Sequence, residues 1–254
     1  MPELPEVETF KRYGEKHFLN QEIKSVFVED EKILLTSKLA FDSLIGLKIL
    51  KFFRRGKYVY AKISDSNLWL LLHFGMSGHL EAYSNQKPKS TRFALEMVNV
   101  NLGFVNPRKF GRVGIIEDVQ EFFQSKSWGK DALQISEKDF LEKMSGKTGP
   151  IKSRLLDQKN VAGIGNIYAD EILFQCGIHP NTDASNLKEF DLINIHSKML
   201  EVFELAIKKQ AKYHTYPKNY LLFDRSLERA NPPLSVITVG GRTTYYSPEL
   251  QQEI

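Results

Sequence analysis

Cysteine is nearly absent from this sequence, since Cys176 is the single one among 254 residues. One cysteine cannot form an internal disulfide, so nothing indicates an oxidising compartment. A zinc site built mainly from thiolates is excluded as well. The six histidines are scattered, and neither HExxH nor another paired-ligand spacing occurs. The sequence therefore predicts no metal site and no cofactor.

Long apolar runs are also missing. No stretch approaches the roughly 20 apolar residues that a membrane-spanning helix requires. The first residues lack the cationic lead and the apolar segment of a secretory signal. We therefore expect a cytoplasmic protein, nucleoid-associated if bacterial, without a membrane partner.

The composition is that of an ordinary folded protein with a basic surplus. Apolar residues make up 42% of the chain and charged residues 26%, which does not favour disorder. Thirty-five Lys and Arg against 31 Asp and Glu give a formal charge of +4. This surplus permits a polyanionic partner without requiring one. The length of 254 residues mildly favours two domains.

The first half of the chain begins with a helical pattern and continues with strand-like runs. Residues 5–19 have near-helical apolar spacing, and Pro5 suits a first helical turn. Between about 22 and 116, short β-branched and aromatic runs predict a sandwich or barrel. These runs are IKSVFV, KILKFF, KYVYAKI, LWLLLHF, FALEMVNV and VGIIEDV.

From about residue 120 the pattern becomes helical. EFFQSKSWGKDAL and SEKDFLEKM are helix-like, and LDQKNVAGIGNIYADEILFQCGIHP is typical of two helices joined by a glycine-containing turn. Apolar residues between 187 and 206 mark a long amphipathic helix. Near the end, Gly240-Gly241 between two β-like segments predicts a hairpin.

The opening stretch, MPELPEVETF, contains residues that could carry chemistry. A small second residue such as Pro2 permits removal of the initiator methionine, which leaves a secondary amine. An α-amino group has a pKa of about 8, against about 10.4 for lysine, so more of it is unprotonated at neutral pH. Such an amine can attack an aldehydic carbon and form an iminium, and the adjacent Glu3 could move protons. Taken alone, the stretch is more typical of a capped helix start.

Five further features have both a functional and a structural interpretation. Basic residues surround a glycine in FFRRGKYVY (52–60), Met76 lies between two glycines in HFGMSGH, and NPRKFGR (106–112) is a basic, aromatic turn. GIGN (163–166) precedes a predicted helix, where backbone N–H groups suit a phosphate. Arg242 follows the hairpin glycines. The structural alternatives are solvated strand ends, ordinary surface loops and a plain helix–turn–helix.

Together and in this order, these motifs resemble those of the formamidopyrimidine-DNA glycosylase/endonuclease VIII family of base-excision repair enzymes. The matching motifs are PELPEVE, RRGKY, HFGMSG, NPRKFG and NVAGIGNIYADEIL, and they extend over essentially the whole chain. PELPEVE at position 2 with GIGNIYADE downstream is a highly specific pair. The resemblance implies a monomeric enzyme that excises oxidised bases from double-stranded DNA and cleaves the strand at abasic sites.

The resemblance also assigns catalytic roles. Pro2 would attack C1′ of the damaged nucleotide and form a ring-opened Schiff base, with Glu3 as general acid and base. Lys57 would bind a phosphate near the lesion and assist β-elimination. Arg242 would hold phosphates around the lesion and support δ-elimination.

DNA contacts are implied for several loops. Met76 and Phe110 would fill the gap left by the flipped-out base. Arg108 would meet the orphaned base with its guanidinium donors. The remaining DNA-binding positions that the resemblance implies are Glu6, Arg92, Lys147, Lys152, Gly165 and Asn166. Contacts to flanking phosphates position the DNA and do not read its sequence.

The implied fold is α+β. It consists of an N-terminal β-sandwich with a leading helix (1–118), a helical domain with a helix-two-turn-helix (119–230) and a terminal β-hairpin finger (231–254). Most members of the family hold zinc in that finger with four cysteines. This chain has no cysteine after Cys176, so a zincless finger is expected. The loop that caps the flipped base should lie at about 211–235.

The substrate class stays open between branches of the family. PELPEVE with Met76, Arg108 and Phe110 resembles the formamidopyrimidine branch, which favours 8-oxoguanine and ring-opened purines opposite cytosine. One alternative is an endonuclease VIII-like enzyme for oxidised pyrimidines, or mainly an abasic-site lyase. A more distant one is a non-catalytic protein that binds damaged DNA.

Overall fold

A computed structural model describes residues 1–227 and 230–254 of the protein. These residues form two compact units, each with a hydrophobic core of its own. The first unit consists of Met1–Pro2 and Glu6–Ser127, and the second of Glu3–Pro5 and Trp128–Ile254. The three-domain division expected from the sequence stays a prediction. Among the described residues, no helix has the length and apolarity needed to cross a membrane.

Strands dominate the first unit. In chain order its elements are α1 (Leu4–Phe18, which belongs to this unit from Glu6 onward), β1 (Ile23–Val28), β2 (Ile49–Arg55), β3 (Tyr58–Ile63), β4 (Trp69–His73), β5 (His79–Tyr83), β6 (Thr91–Met97), β7 (Asn101–Val105), β8 (Arg112–Ile116) and α2 (Val119–Ser125). Two short 3-10 helices, Glu31–Ile33 and Lys38–Leu44, lie between β1 and β2.

Two antiparallel four-stranded sheets, in the orders β1-β6-β7-β5 and β2-β3-β4-β8, form the predicted β-sandwich. Alternate residues of β3, such as Val59 and Ala61, are buried in the core that both sheets share with α1. On the other side of β3, Tyr60 is buried too, because it packs with Leu71 and Val119. Helix α2 thus covers the outer face of one sheet, which the strand-like runs of the sequence did not predict.

Helices dominate the second unit. In chain order its elements are β9 (Lys130–Asp131), α3 (Glu137–Met144), α4 (Ile151–Leu156), β10 (Val161–Ala162), α5 (Asn166–Cys176), α6 (Glu189–Lys208), β11 (Ser235–Val239) and β12 (Arg242–Tyr246). The 3-10 helices Ala184–Asn186 and Tyr213–Thr215 flank α6.

Helix α5 is the central element of the second unit. Its residues Tyr168–Phe174 are all buried, so it has no solvent-facing side over this stretch. Such a helix is typical of the interior of a domain. The ring of Tyr168 packs edge-on against Phe203 of α6 with 5.5 Å between the ring centroids. The long amphipathic helix predicted between 187 and 206 is α6.

The chain ends in the predicted hairpin of β11 and β12. Gly240 and Gly241 form its two-residue turn with φ angles of +55° and +73°. A type I′ turn requires positive φ at both central residues, which glycine adopts without strain. Arg242 pairs with Val239 directly after the turn.

Three elements differ from the sequence-based expectation. Strand β5 begins at the last residue of HFGMSGH, and the short β7 contains Gly103, so neither showed a clear strand pattern. The helix expected from EFFQSKSWGKDAL covers only its first part. It ends at Ser125, and Lys130–Asp131 instead pairs in parallel with Val161–Ala162. Pairing with a distant segment outweighed local helix propensity there.

His73 at the end of β4 has an unusual environment. Its ring lies against Tyr58, its partner on β3, with 4.6 Å between the ring centroids. Arg112 is its partner on β8. Burial, reinforced by the positive charges of Lys57 and Arg112, lowers the pKa of His73 to about 4. The imidazole is therefore neutral at neutral pH.

The lowered pKa of His73 predicts a pH-dependent stability. Between about pH 6.5, the ordinary histidine value, and about pH 4, the unfolded chain binds more protons than the folded one at this residue. As the pH falls through this window, we expect His73 to reduce the free energy of unfolding by about 2 kcal/mol. Urea unfolding at about pH 7 and about pH 4.5 measures this change, and His73→Phe should lack it.

His214 provides the control because it is exposed. His214→Gln should keep the pH dependence of the wild-type protein. If His73→Phe and the wild type lost stability in parallel on acidification, the lowered pKa of His73 would be contradicted.

Candidate active site

The carboxylate of Glu3 is held by the first turn of α5. Its Oε1 accepts a hydrogen bond from the N–H of Ile167 at 2.9 Å, and its Oε2 accepts one from the N–H of Tyr168 at 3.2 Å. Only 2% of Glu3 is exposed. N–H groups in a first helical turn have no partner within the helix, and the helix dipole favours a negative charge there. Glu3 therefore has a fixed orientation in the second unit.

Gly165 provides the space that this arrangement requires. It is the N-cap residue of α5, and a Cβ atom added to it would lie 2.2 Å from Cδ of Glu3. The sequence predicts a phosphate site at GIGN, whereas in the structure the carboxylate of Glu3 occupies the helix start. The N–H of Leu4 also donates to the C=O of Gly163 at 3.2 Å. The GIG segment thus holds the residues that follow Pro2.

Pro2 is partly exposed, and 49% of Met1 is exposed. The peptide bond between these residues is therefore not enclosed in either hydrophobic core. Removal of Met1 would convert the nitrogen of Pro2 into a secondary amine, covalently next to the fixed Glu3. The pairing of a nucleophile with a group that can move protons is the arrangement expected for covalent catalysis.

Lys57 lies in the two-residue turn between β2 and β3. Arg54 supports this turn, since its Nη1 donates to the C=O of Gly56 at 3.0 Å and its Nε to Oε2 of Glu8 at 3.0 Å. Only 8% of Arg54 is exposed. The interpretation of this basic cluster as solvated strand ends is therefore wrong for Arg54, which is buried and stabilises the turn through these hydrogen bonds. Lys57 remains partly exposed in the turn.

Two loops of the first unit display large side chains to solvent. Met76 is 43% and Phe110 52% exposed, although residues of this kind are usually buried. Arg108 is also exposed, and its guanidinium lies 5.4 Å from the centroid of the Phe110 ring. Exposed apolar side chains of this kind suit insertion into a base stack.

Asn106 ties these two loops together. Its Nδ2 donates to the C=O of Phe74 at 3.0 Å, and its Oδ1 accepts from the N–H of Gly111 at 3.3 Å. Arg92 is bonded to the same loop, since its Nε donates to the C=O of Asn106 at 3.1 Å and its Nη1 is ion-paired with Glu29. Asn106 lies within NPRKFGR, but its bracing role cannot be inferred without its partners.

Asn166 and Arg242 are connected through the terminal hairpin. Nδ2 of Asn166 donates to the C=O of Thr243 at 2.9 Å, and Thr243 directly follows Arg242 in β12. Arg242 itself is exposed. The first turn of α5 therefore contacts both the Glu3 carboxylate and the hairpin that carries Arg242.

The other expected DNA contacts have different environments. Lys147 is exposed in the loop before α4, and Glu6 is partly exposed in the first turn of α1. Lys152 is fully buried, with its Nζ 2.7 Å from Oδ1 of Asp170 and 2.6 Å from Oγ1 of Thr244. A lysine enclosed by internal partners presents no surface to a phosphate. The expectation that Lys152 binds DNA therefore disagrees with the structure.

The expected base-capping segment, about 211–235, includes Glu228 and Arg229, which lie outside the described residues. Its first part is anchored on α5, because Oε2 of Glu171 accepts a hydrogen bond from the N–H of Leu222 at 2.7 Å. Burial raises the pKa of Glu171 to about 7. Nothing in the sequence distinguished this carboxyl from a solvated one.

Among the described residues we find neither a cluster of metal ligands nor a reactive thiol. Within 1–227 and 230–254, no group of three or more His, Cys, Asp and Glu side chains could hold a metal. Cys176 is a free cysteine, and burial raises the pKa of its thiol to about 12. A thiol with such a pKa is scarcely ionised at neutral pH and is a poor nucleophile.

Comparison with known proteins places these features in a family. Residues 1–113 match the formamidopyrimidine-DNA glycosylase N-terminal domain, and residues 129–217 match the formamidopyrimidine-DNA glycosylase H2TH domain. The formamidopyrimidine-DNA glycosylase of Ligilactobacillus salivarius is 32% identical over 278 residues, covering 99% of this chain and 99% of that protein. That of Arabidopsis thaliana is 31% identical over 278 residues, covering 99% of this chain and 71% of that protein.

Solved structures with this fold include complexes with DNA. A structure of MutM in complex with DNA containing carbocyclic 8-oxo-G matches with a TM-score of 0.90 and 31% identity, over 99% of this chain and 100% of that one. A complex of the Lactococcus lactis Fpg with DNA containing an abasic site matches with a TM-score of 0.89 and 30% identity, at the same coverage. These matches confirm the expected α+β fold. The chain belongs to the formamidopyrimidine-DNA glycosylase family.

Proposed function

We propose that this protein is a DNA glycosylase of base-excision repair that removes oxidised purines from duplex DNA and then cleaves the strand as a lyase. Its relatives are named formamidopyrimidine-DNA glycosylase, and similar structures contain DNA with 8-oxo-G or an abasic site. The observation that carries the proposal is the Glu3 carboxylate, fixed by two backbone N–H groups directly beside Pro2. A protein that only bound damaged DNA would need neither residue.

Pro2 is the proposed nucleophile. After removal of Met1, the nitrogen lone pair attacks C1′ of the damaged nucleotide, and the bond from C1′ to the base breaks. The base leaves with the bonding electrons and takes up a proton. Glu3 moves the proton from the Pro2 nitrogen to O4′, the bond between C1′ and O4′ breaks, and an iminium between Pro2 and C1′ remains.

Strand cleavage follows from the iminium. Loss of a proton from C2′ expels the 3′ phosphate in β-elimination, and a second elimination can expel the 5′ phosphate. Lys57 in the β2–β3 turn is the proposed phosphate ligand for the first step. Arg242 on the terminal hairpin is the proposed ligand for the second. A fixed cation beside a leaving phosphate stabilises the charge that develops on it.

The remaining residues position the DNA in this proposal. Met76 and Phe110 fill the space of the flipped-out base, and Arg108 contacts the base left without a partner. Flanking phosphates are held by the N–H of Gly165, by the side chain of Asn166 and by the exposed Lys147, while the N–H groups of Ile167 and Tyr168 bind Glu3. Glu6 is the other proposed DNA-contacting residue at the start of the chain. Arg92 supports the loop of Arg108. A monomer in the cytoplasm stays a prediction.

Gly165→Ala tests whether the position of Glu3 matters. The added Cβ would lie 2.2 Å from Cδ of Glu3, so the carboxylate must shift. A misplacement of about 1 Å costs about 100-fold in rate, and we expect a loss of this order in single-turnover excision of 8-oxoguanine. Gly46→Ala is the control, because nothing lies within 4 Å of its added Cβ and only its φ of +84° is strained. The control should lose stability but not excision rate, and a wild-type rate in Gly165→Ala would contradict the role of Glu3.

A blocked N-terminus tests the nucleophile. An uncleaved tag before Pro2 turns its nitrogen into an amide without a reactive lone pair, and we expect borohydride trapping on abasic DNA to disappear. Pro2→Gly should reduce trapping strongly. The control is the same tag after Ile254, which is 44% exposed and can be extended. Undiminished trapping in the N-terminally tagged protein would rule out Pro2.

A panel of lesions tests the substrate class. We expect duplexes with 8-oxoguanine or a formamidopyrimidine opposite cytosine to be processed faster than those with thymine glycol, and abasic sites to be cleaved with every opposite base. Arg108→Ala should reduce the preference for cytosine by about 10- to 100-fold, as for loss of one bidentate base contact. Faster excision of thymine glycol would indicate the oxidised-pyrimidine branch instead.

A further inference from the structure

The terminal hairpin cannot position Arg242 by itself. Its strands, β11 and β12, have five residues each. An isolated two-stranded hairpin is marginally stable at best in water. Since no cysteine follows Cys176, a thiolate metal cluster within the hairpin is excluded too. The position of Arg242 must therefore come from contacts of the hairpin with the rest of the second unit.

Asp170 is the centre of a buried charge network beside this hairpin. Its Oδ1 lies 2.7 Å from Nζ of Lys152 on α4, and its Oδ2 lies 3.0 Å from Nη2 of Arg225. The side chains of Asp170 and Lys152 are 0% exposed. Burial lowers the pKa of Lys152, and the carboxylate of Asp170 opposes this change. Each of these two buried charges is therefore stabilised by the other.

Every member of the network also contacts β12. Oδ2 of Asp170 accepts a hydrogen bond from the N–H of Tyr245 at 3.2 Å, and Nζ of Lys152 donates to Oγ1 of Thr244 at 2.6 Å. The guanidinium of Arg225 lies over the ring of Tyr245, 4.3 Å from its centroid. Three charged groups from three separate segments thus converge on two consecutive residues of one strand.

We propose that Asp170, together with Lys152 and Arg225, positions the hairpin so that Arg242 reaches the phosphates around the lesion. This inference rests on the proposed function, in which Arg242 is a phosphate ligand. Thr244 lies two residues after Arg242 on β12. The contacts of the charge network with Thr244 and Tyr245 therefore restrain the backbone that carries Arg242. Asp170 acts through Arg242 and has no part in the chemistry of Pro2.

A double-mutant cycle tests the proposal with the full chain. The four proteins are the wild type, R242Q, K152M/D170L and the variant with all three changes. Replacing both buried charges by apolar side chains of similar size avoids leaving one of them unpaired. The measured quantities are the affinity for a duplex with a tetrahydrofuran abasic analogue and the rate of borohydride trapping at saturating abasic DNA. Thermal unfolding checks that each variant is folded.

We expect R242Q to weaken DNA binding by about 10-fold, the effect of one charge-assisted contact. K152M/D170L should weaken binding to a similar extent, and R242Q should then have less than about a 2-fold further effect, since its contact is already lost. In K152M/D170L, trapping should stay within about 3-fold of the wild type, because Pro2 and Glu3 are untouched. Independent effects, which would multiply to about 100-fold, would overturn the proposal.

Two further variants separate positioning from general destabilisation. Arg225→Leu removes one charged group of the network, and this side chain is 22% exposed. This variant should reduce the effect of R242Q on DNA binding in the same way, even if K152M/D170L does not fold. Met199 is a fully buried residue of α6. Met199→Ala should lower stability but leave the full effect of R242Q on DNA binding. A reduced R242Q effect in Met199→Ala would overturn the proposal.

Failure of the proposed function and failure of the present inference give different experimental results. Absence of trapping and of lesion-specific binding in the wild type would contradict the proposed glycosylase and lyase activity itself. Normal trapping with an R242Q variant that binds as the wild type does would leave that activity standing. In that case Arg242 has no contact for Asp170 to position, and only the present inference falls.

Discussion

The proposed chemistry depends on two hydrogen bonds from the backbone of α5 to the carboxylate of Glu3. A chain terminus is ordinarily among the most mobile parts of a protein, and holding it in place costs conformational entropy. Here the donors are N–H groups of a buried helix, which cannot change rotamer and which the helix itself leaves without partners. This arrangement requires a helix start at Asn166 and a residue without a side chain at Gly165. The proposed catalytic terminus is therefore positioned by main-chain geometry.

The same helix is the common anchor of three segments with a proposed function. Ile167 and Tyr168 bind Glu3, Asp170 binds the terminal hairpin, and Glu171 binds the N–H of Leu222 in the expected base-capping segment. All of these contacts arise within the first two turns of α5, whose side chains are almost entirely buried. A helix enclosed in this way has little freedom to tilt, because protein interiors are close-packed. A rigid support of this kind is what a preorganised site requires.

Much of the fold could be predicted from local patterns, and the failures have a common cause. The sandwich strands with β-branched runs, the long helix α6 and the glycine turn of the hairpin depend on neighbours in sequence. Strands β5 and β7 have weak local patterns and exist because sheet partners are available. Arg54 and Lys152 resemble ordinary solvated cations until Glu8 and Asp170 are seen beside them. A buried charge is recognisable only by its partner.

By itself, the sequence determined the family, the division into a strand-rich first half and a helical second half, and the residues that could act as nucleophile and proton carrier. These features depend on residue type, spacing and position relative to the chain start, which need no knowledge of contacts. Only the tertiary structure decided that the helix after GIGN binds Glu3, that Lys152 is enclosed, and that Asn106 ties two loops. Glu3 and Ile167 are 164 positions apart, so their hydrogen bond exists only in the folded chain. Which donor meets which acceptor is a consequence of packing, and no local pattern encodes it.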